Sequence, residues 1–375
     1  MGPVPRFDRY LLSQLLVHFG FFALVLVGVY WINRAVMLFD QLMGDGQSAM
    51  VFLEFSMLAL PGVIKLVLPV AGFVATVYVA NKLSTESELV VMQATGFSAF
   101  RMARPVAVFG VLVGLMMMAL VHVLVPMSRA TMIAERAALS ENITARFLTE
   151  GQFTHPAKGV TFYMTEIDET GELRGLFVED ARSPRERTVF TARSALFVRG
   201  EAGPKLIMVD GMAQTLDRES GRMAVTRFSD FTYDLGALLT RQVGQRLRLP
   251  ERVTTELLSA DAGLLQEAGA TAEEARYELH SRLAEPALSV AVVLIGFASL
   301  LLGGYSRLGL WRQIGLAVAL LLAVQGLSAV AGQLGQQMAG GWVLAYVAPA
   351  LGLASGVVLL WWAGRPRPVP KGAAA

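Results

Sequence analysis

Six long apolar runs, separated by polar segments, constrain this chain more than any other feature of its sequence. They cover about residues 11–32, 50–80, 105–126, 286–303, 314–331 and 343–363. A helix needs about 20 mainly apolar residues to cross a bilayer, and each run is close to that length or longer. Charge follows the same division, since residues 127–280 contain 19 of the 32 Lys and Arg and 23 of the 30 Asp and Glu. The sequence predicts a membrane protein with three helical spans on either side of one soluble insert.

The Lys and Arg residues that flank the predicted spans indicate the orientation of the chain. Two short loops, 40–48 and 332–341, contain none of them. The flanks on the other side of the membrane carry ten: Arg6, Arg9, Lys82, Arg101, Arg104, Arg307, Arg312, Arg365, Arg367 and Lys371. Because Lys and Arg concentrate in cytoplasmic loops, we expect both termini to be cytoplasmic and the insert to lie outside.

The insert has the sequence pattern of a β-domain. Between about residues 147 and 234, apolar and polar residues alternate, as in Val160–Ile167 and Thr188–Val198, and turn-forming residues separate these segments. Many short strands at this spacing predict an all-β sandwich, roll or barrel. The predicted domains are 1–126 with spans one to three, 127–280 with the β-domain and its helical connectors, and 281–375 with spans four to six and a cytoplasmic tail.

A short polar stretch, residues 82–98, lies between the second and third spans. Thr85 and Glu88 have the Thr-x-x-Glu spacing of a capping box, which predicts a helix start. Gly96 suits the left-handed position that ends a helix. The pattern predicts a helix of about ten residues and about 15 Å within 84–96. We expect this helix, on the cytoplasmic side, to be a contact point for something outside the membrane.

The sequence offers no residues for covalent chemistry. It contains no Cys, its four His lie far apart, and it has no Walker A pattern. We therefore expect no catalytic residues, no metal site and no cofactor in this chain. The net charge of +2 gives no reason to expect nucleic acid as a partner. Any energy that this chain uses must come from another protein.

The stretch Thr85–Ser98 resembles the cytoplasmic coupling segment of the LptF/LptG (YjgP/YjgQ) permeases of lipopolysaccharide export. The resemblance extends over the whole chain, from Arg9-Tyr-Leu near the start through three spans, a β-domain and three more spans. Gly151-Gln-Phe153 and the paired acids Glu86 and Glu88 resemble LptF more than LptG. The implied fold has six transmembrane helices (3+3) and an inserted periplasmic, jelly-roll-like all-β domain.

The resemblance implies an ABC transporter subunit of the bacterial inner membrane that is not itself an enzyme. It would extract lipopolysaccharide and pass it to a periplasmic β-domain bridge toward the outer membrane. Its implied partners are an LptG-like permease, two LptB-like ATPases that bind ATP and Mg, an LptC-like bitopic protein and an LptA-like bridge.

The resemblance also implies roles for individual residues. Glu88 matches the family position that contacts the ATPase, although it could also simply cap its helix; the predicted coupling set is Glu88, Glu86, Thr85, Leu89, Met92 and Gly96. Arg34, at the outer end of span one, is expected to contact a lipid phosphate or to anchor the helix at the interface. Lys65 within span two is a second phosphate candidate, with Glu54 as a possible structural partner.

Two further groups of residues are candidates for handling the substrate. Phe162, Phe197 and Phe228 are predicted either to line a lipid-carrying trough in the β-domain or to pack in its core. In span five, small and polar residues at helical spacing favour close helix approach, and the resemblance makes them part of a lateral gate: Gln325, Gly326, Ser328 and Ala329. Arg282 and Glu285, before span four, are predicted to be interfacial.

Three alternatives stay open at this point. The chain could be the paralogous LptG-type subunit. It could instead be a non-transporting, mechanically gated ABC subunit that acts on a periplasmic partner through its β-domain. A secondary transporter is a third possibility, but such proteins are expected to show more paired buried acids and broken helices in their spans.

Overall fold

A computed structural model describes residues 6–44, 48–146, 150–157, 159–168, 171–183, 185–200, 203–234, 247–303 and 310–365. Its α-helices are α1 Arg6–Gly44, α2 Ala49–Thr85, α3 Glu88–Ala94, α4 Ala99–Ala119, α5 Val125–Arg146, α6 Thr254–Leu258, α7 Ala262–Ala268, α8 Ala272–Leu301, α9 Trp311–Gly335 and α10 Val347–Ala363. A π-helical turn, Leu120–Leu124, joins α4 to α5, and 3₁₀ turns occupy Leu249–Glu251 and Gly341–Tyr346.

Six helical segments are long and apolar enough to cross a membrane, as the apolar runs predict: Arg6–Phe39, Ala49–Thr85, Ala99–Arg136, Ala272–Leu301, Trp311–Gly335 and Gly341–Ala363. Most extend beyond the predicted limits. The second is a helix of 37 residues that contains both Pro61 and Pro69. The third continues through the π-helical turn toward the insert, so no break separates the span from its polar extension.

The spans belong to one compact unit, Met1–Met132 together with Leu247–Ala375, whose central helix is α8. In the most apolar window of α8, 72% of residues are buried, against 11% in α1 and 17% in α9. Glycines let neighbouring helices approach α8 closely: a Cβ at Gly114 of α4 would lie 3.1 Å from the Pro286 carbonyl oxygen. The other described residues therefore leave most of the apolar surface of α1 and α9 uncovered.

The second compact unit, Ile133–Arg246, contains the predicted β-domain. Its strands are β1 Thr154–Ala157, β2 Val160–Tyr163, β3 Glu166–Ile167, β4 Glu172–Asp180, β5 Glu186–Gly200, β6 Gly203–Asp217 and β7 Met223–Asp234. All pairs are antiparallel, in the order β1-β2-β4-β5-β6-β7, and β3 pairs with β4. The predicted class, a helical membrane protein with an inserted antiparallel β-domain, is confirmed.

A row of residues across the middle strands bends this sheet. By register, Gly175 in β4 lies opposite Arg193 in β5, which lies opposite Asp210 in β6. Gly175 and Asp210 both have positive φ, 61° and 51°. Buried positions change phase at this row, because β5 buries Phe190 and Ala192 before it but Ala195 after it. The same face of the sheet therefore stays apolar on both sides of the bend.

Contacts between strands that are not neighbours show that the sheet closes on itself. The rings of Phe190 in β5 and Phe231 in β7 stack at 5.2 Å. The Tyr233 hydroxyl in β7 donates a hydrogen bond of 2.9 Å to Asp180 at the end of β4, and the guanidinium of Arg182 donates to the same carboxylate. The hydrogen bonds from Arg182 hold the pKa of Asp180 below its usual range. The apolar core of this unit lies inside the closed sheet.

The Asp180→Asn substitution is expected to lower the free energy of unfolding of this unit by about 1.5–3 kcal/mol at pH 7, the usual range for hydrogen bonds to a charged group. Since the folded-state pKa is depressed, this stabilisation exists above the unfolded value near ~3.9 and disappears as pH falls through the folded pKa. Thermal melts of the full chain by circular dichroism, at pH 7 and at a pH below the folded-state pKa of Asp180, check the difference. Asp230→Asn, at an exposed carboxylate on β7, is the control; equal effects of the two changes would contradict the assignment.

Candidate functional site

The polar stretch between spans two and three forms the short helix α3, and its two ends are built differently from each other. At its end, the Gly96 N–H bonds the Gln93 carbonyl and the Phe97 N–H bonds the Met92 carbonyl, with Gly96 at φ 87°. This is a Schellman motif, and it confirms the predicted helix end at Gly96.

The predicted capping box at the start of α3 is wrong. Thr85 lies in the last turn of α2, where its hydroxyl donates to the Asn81 carbonyl at 2.9 Å. Ser87, at φ 63°, is the residue before α3 and makes no side-chain cap. A Thr hydroxyl can bond the carbonyl four residues earlier, so α2 simply continues past the predicted start. Glu88 is thus the first residue of α3, after a sharp turn.

The side chains of α3 divide into an inward and an outward set. Leu89 is only 5% exposed and joins the core of the helical unit, and Met92 packs against that core. Glu86 and Thr85 are exposed, Glu88 is half-buried, and Val91 is 59% exposed. Leu89 therefore anchors α3 to the bundle, whereas Val91, which the sequence interpretation did not select, is a large apolar side chain that α3 presents outward.

Glu88 has a specific neighbour from α1. The Tyr10 hydroxyl donates to Glu88 Oε1 at 3.3 Å. That distance is long for an O–H···O hydrogen bond, so the contact orients the carboxylate only weakly. The second carboxylate oxygen of this half-buried acid is free of any such contact within the described residues. Glu88 is therefore placed to accept a stronger donor from outside the chain.

Two more contacts fasten the segment after α3 to the start of α1, and a third joins the two side chains that make them. Arg101, in the first turn of α4, makes an ion pair of 2.7 Å with Asp8, whose side chain is 8% exposed. The Arg101 guanidinium also lies over the Phe97 ring, 5.6 Å from its centroid. Phe97 in turn packs edge-to-face against Phe7 at 6.1 Å. The segment from α3 to α4 is thus tied to α1 through both apolar and ionic contacts.

The chain matches the family model described as lipopolysaccharide export system permease LptF/LptG over residues 9–362. The chain therefore belongs to the LptF/LptG permease family. The matched region contains four of the six spans in full and all but the outermost residues of the first and last, together with the β-sheet unit and α3. An uncharacterized protein of Rickettsia prowazekii is 19% identical over 263 residues, which are 69% of this chain and 72% of that protein.

The two candidate phosphate contacts of this LptF/LptG chain differ in their surroundings. Arg34 is exposed on α1, which continues beyond it to Gly44. Lys65 Nζ lies 2.9 Å from Glu285 Oε1, and the side chains are 31% and 29% exposed. The predicted partner Glu54 is wrong, because the paired acid comes from α8 rather than from the same helix. Glu285, predicted to be interfacial, is thus also the partner of Lys65.

The predicted trough residues fall into different environments. Phe162 is 5% exposed within the core of the β-sheet unit. Phe228 is partly buried, and its ring covers Gly211, where a Cβ would come within 2.5 Å of the ring. Phe197 lies in β5 opposite Leu206, and its side chain is outside the described residues. Phe162 and Phe228 pack in the core of this closed arrangement.

The predicted gate residues lie on two faces of α9. Gly326 and Ala329 are exposed, and a Cβ at Gly326 would meet no atom within 4 Å. Gln325 and Ser328 are half-buried, and Ser328 lines a cavity of about 220 Å³ beside Glu285. The Gly326–Ala329 face is thus open for close approach by another helix.

Sequence reasoning missed one buried cation. Arg282, predicted to be interfacial, is 2% exposed inside the helical unit. The only sequence signal was Glu278 four residues earlier, a spacing that places both on one helix face. Among the described residues, no group of three or more His, Asp or Glu could hold a metal ion.

Proposed function

We propose that this chain is the LptF-like permease subunit of an ABC transporter that extracts lipopolysaccharide from the inner membrane. An LptG-like permease is its membrane partner, and two LptB-like ATPases bind ATP and Mg and drive the cycle. LptC-like and LptA-like proteins continue the periplasmic route. The observation that carries the proposal is α3, a short anchored helix between two spans that presents Glu88 and Val91 outward within a family-matched chain.

The free-energy cost of extracting a lipid from the bilayer supports a role for the exposed spans of this chain. Each buried acyl CH₂ holds a lipid in the bilayer by about 0.8 kcal/mol, so a multi-acylated lipid needs substitute apolar surface throughout its path. α1 and α9 are the least buried spans and supply such surface. In the proposed complex, they line the cavity shared with the LptG-like subunit and form its gates, with Gly326 and Ala329 at a moving contact.

The proposed substrate contacts follow from exposure and charge. Arg34 is exposed on α1 and binds a lipid phosphate. Lys65 is half-exposed and its ammonium has three donors, so its ion pair with Glu285 leaves capacity for a phosphate oxygen. In the proposed function, the closed β-sheet opens to accept acyl chains. Phe162, Phe197 and Phe228 then line the opened core. The termini and α3 are cytoplasmic, and the β-domain is periplasmic.

Native mass spectrometry of the complex, gently purified through a tag on this chain, tests the proposal. We expect one copy of this chain, one LptG-like chain and two ATPase chains, with one bound lipopolysaccharide. An ATPase complex without glycolipid would favour a mechanically gated subunit that does not transport. Transport activity without any ATPase would favour a secondary transporter.

A further inference from the structure

Arg282 in α8 is a charged side chain that is almost completely enclosed by protein. Its Nε donates to Glu278 Oε1 at 2.9 Å, and one terminal nitrogen donates to the Leu249 carbonyl at 3.0 Å. The other terminal nitrogen donates to the Arg252 carbonyl at 2.8 Å and to the Thr254 hydroxyl at 3.2 Å. Burying a guanidinium is costly unless its donors are satisfied. Here one side chain fixes three points of the segment 249–254.

Segment 249–254 connects the β-sheet unit to the helical unit. The β-sheet unit ends at Arg246, so 249–254 is the returning connection from that unit to α8. The outgoing connection is the helix that passes from α4 through the π-helical turn into α5. The two connections meet where His122 Nδ1, in the π-helical turn, lies 2.9 Å from the Thr254 hydroxyl.

The Thr254 hydroxyl can make both contacts at once. It accepts from Arg282, and its own proton is available for a neutral His122 Nδ1. Apolar packing supports the same segment, because Leu249 and Leu257 are buried against Ala275 of α8. α8 is also the most enclosed span of the bundle. The outgoing chain, the returning chain and the central span are therefore joined at one point.

We propose that Arg282 is a positioning residue that, through Thr254 and His122, locks both connections of the β-sheet unit to α8. Movement of α8 is thereby transmitted to that unit rather than lost in loose connectors. Under the proposed function, on which this role in transport rests, the clasp of Arg282, Thr254 and His122 aligns the β-domain when the lipid leaves the membrane cavity.

A pair of spin labels tests the clasp directly. The chain contains no native cysteine, so Arg218→Cys in the β6–β7 turn and Gln337→Cys after α9 give one label in each unit, both at exposed positions. Pulsed electron paramagnetic resonance then measures the distance distribution in the assembled complex. Thr254→Val removes the shared hydroxyl with little change of shape. Arg282→Lys keeps the positive charge but loses the planar guanidinium, whose several N–H groups bind segment 249–254. Thr255→Val, at the exposed neighbouring position of α6, is the matched control.

We expect Thr254→Val to raise the population of displaced distances at least ~fivefold, because the loss of a single hydrogen bond already costs ~1 kcal/mol and the substitution removes two. Arg282→Lys should broaden the distribution further, and Thr255→Val should match the unsubstituted chain. The amount of lipid transferred per ATP hydrolysed should fall in the same order. Identical distributions in Thr254→Val, Arg282→Lys and Thr255→Val would overturn the clasp. The distance between the two labels does not depend on what is transported. Altered distances together with no lipid transfer, even by the unsubstituted chain, would therefore support the clasp and contradict the proposed function.

Discussion

The Glu88→Ala substitution is expected to abolish lipopolysaccharide export by an assembled complex. Glu88 begins α3 and is half-buried, and among the residues that the structure describes its side chain is held by one long contact, from Tyr10. In the proposed complex, its carboxylate accepts a donor from the ATPase at a desolvated interface. Removing one partner of such a pair costs about 2–5 kcal/mol, so we expect at least a ~30-fold loss of transport. Lipid release from proteoliposomes, measured together with ATP hydrolysis, checks this.

The neighbouring acid supplies the comparison for that experiment. Glu86 lies before α3 and is exposed, so Glu86→Ala should reduce export much less. Tyr10→Phe removes the long contact and should have a small effect as well, since that hydrogen bond is weak. Co-purification of the ATPase must be measured for each variant. Normal export by an assembled Glu88→Ala complex would remove Glu88 from the coupling site.

The sequence predicts those features of this fold that depend on local periodicity. Apolar runs locate the six spans, alternation locates the strands, and Gly96 locates the end of α3, because each is encoded by residues close together in the chain. The capping box failed because Thr85 has two local options, and only the length of α2 decides between them. Local patterns therefore determine which elements form more reliably than where they begin.

The contacts that were missed all join distant parts of the chain. Lys65 finds its acid in α8, Arg282 binds carbonyls of a connector, and Asp8 binds an arginine of α4. No periodicity relates such partners, because they meet only after the helices have packed. The same limit explains Leu89, whose apolar character suits a partner surface as well as the bundle core. For the candidate site, the sequence predicts the helix and its acid, whereas its attachment to α1 requires the structure.

That attachment suggests how force at α3 would reach the spans. Leu89 fixes α3 to the core, and the turn after it is tied to α1 by Phe97 and Arg101. α1 is the least buried span, so it can tilt with little loss of packing inside this chain. Movement at α3 is thus expected to shift the start of α1 before it disturbs the enclosed helix α8. The Asp8–Arg101 ion pair is the strongest single link in this route.

The Asp8→Ala substitution is expected to uncouple ATP hydrolysis from export and to destabilise the helical unit. Asp8 is largely buried and lies 2.7 Å from Arg101, whose side chain is 28% exposed. Removing one partner of a fully buried pair costs about 3–5 kcal/mol; the partial exposure of Arg101 places our expectation at the lower end of that range. Melting of the purified complex gives the stability change, and lipid transferred per ATP hydrolysed gives the coupling.

A second substitution separates these two effects. Arg101→Lys keeps the positive charge beside Asp8 but loses the planar contact with Phe97, so stability should fall less than in Asp8→Ala while coupling still decreases. Arg104→Lys, an exposed arginine one turn further along α4, controls for the change of side chain. If lipid transferred per ATP stays constant in Asp8→Ala and Arg101→Lys while only the melting temperature falls, the pair stabilises the fold without transmitting force. Movement at α3 would then have to reach the spans through the core side chain of Leu89.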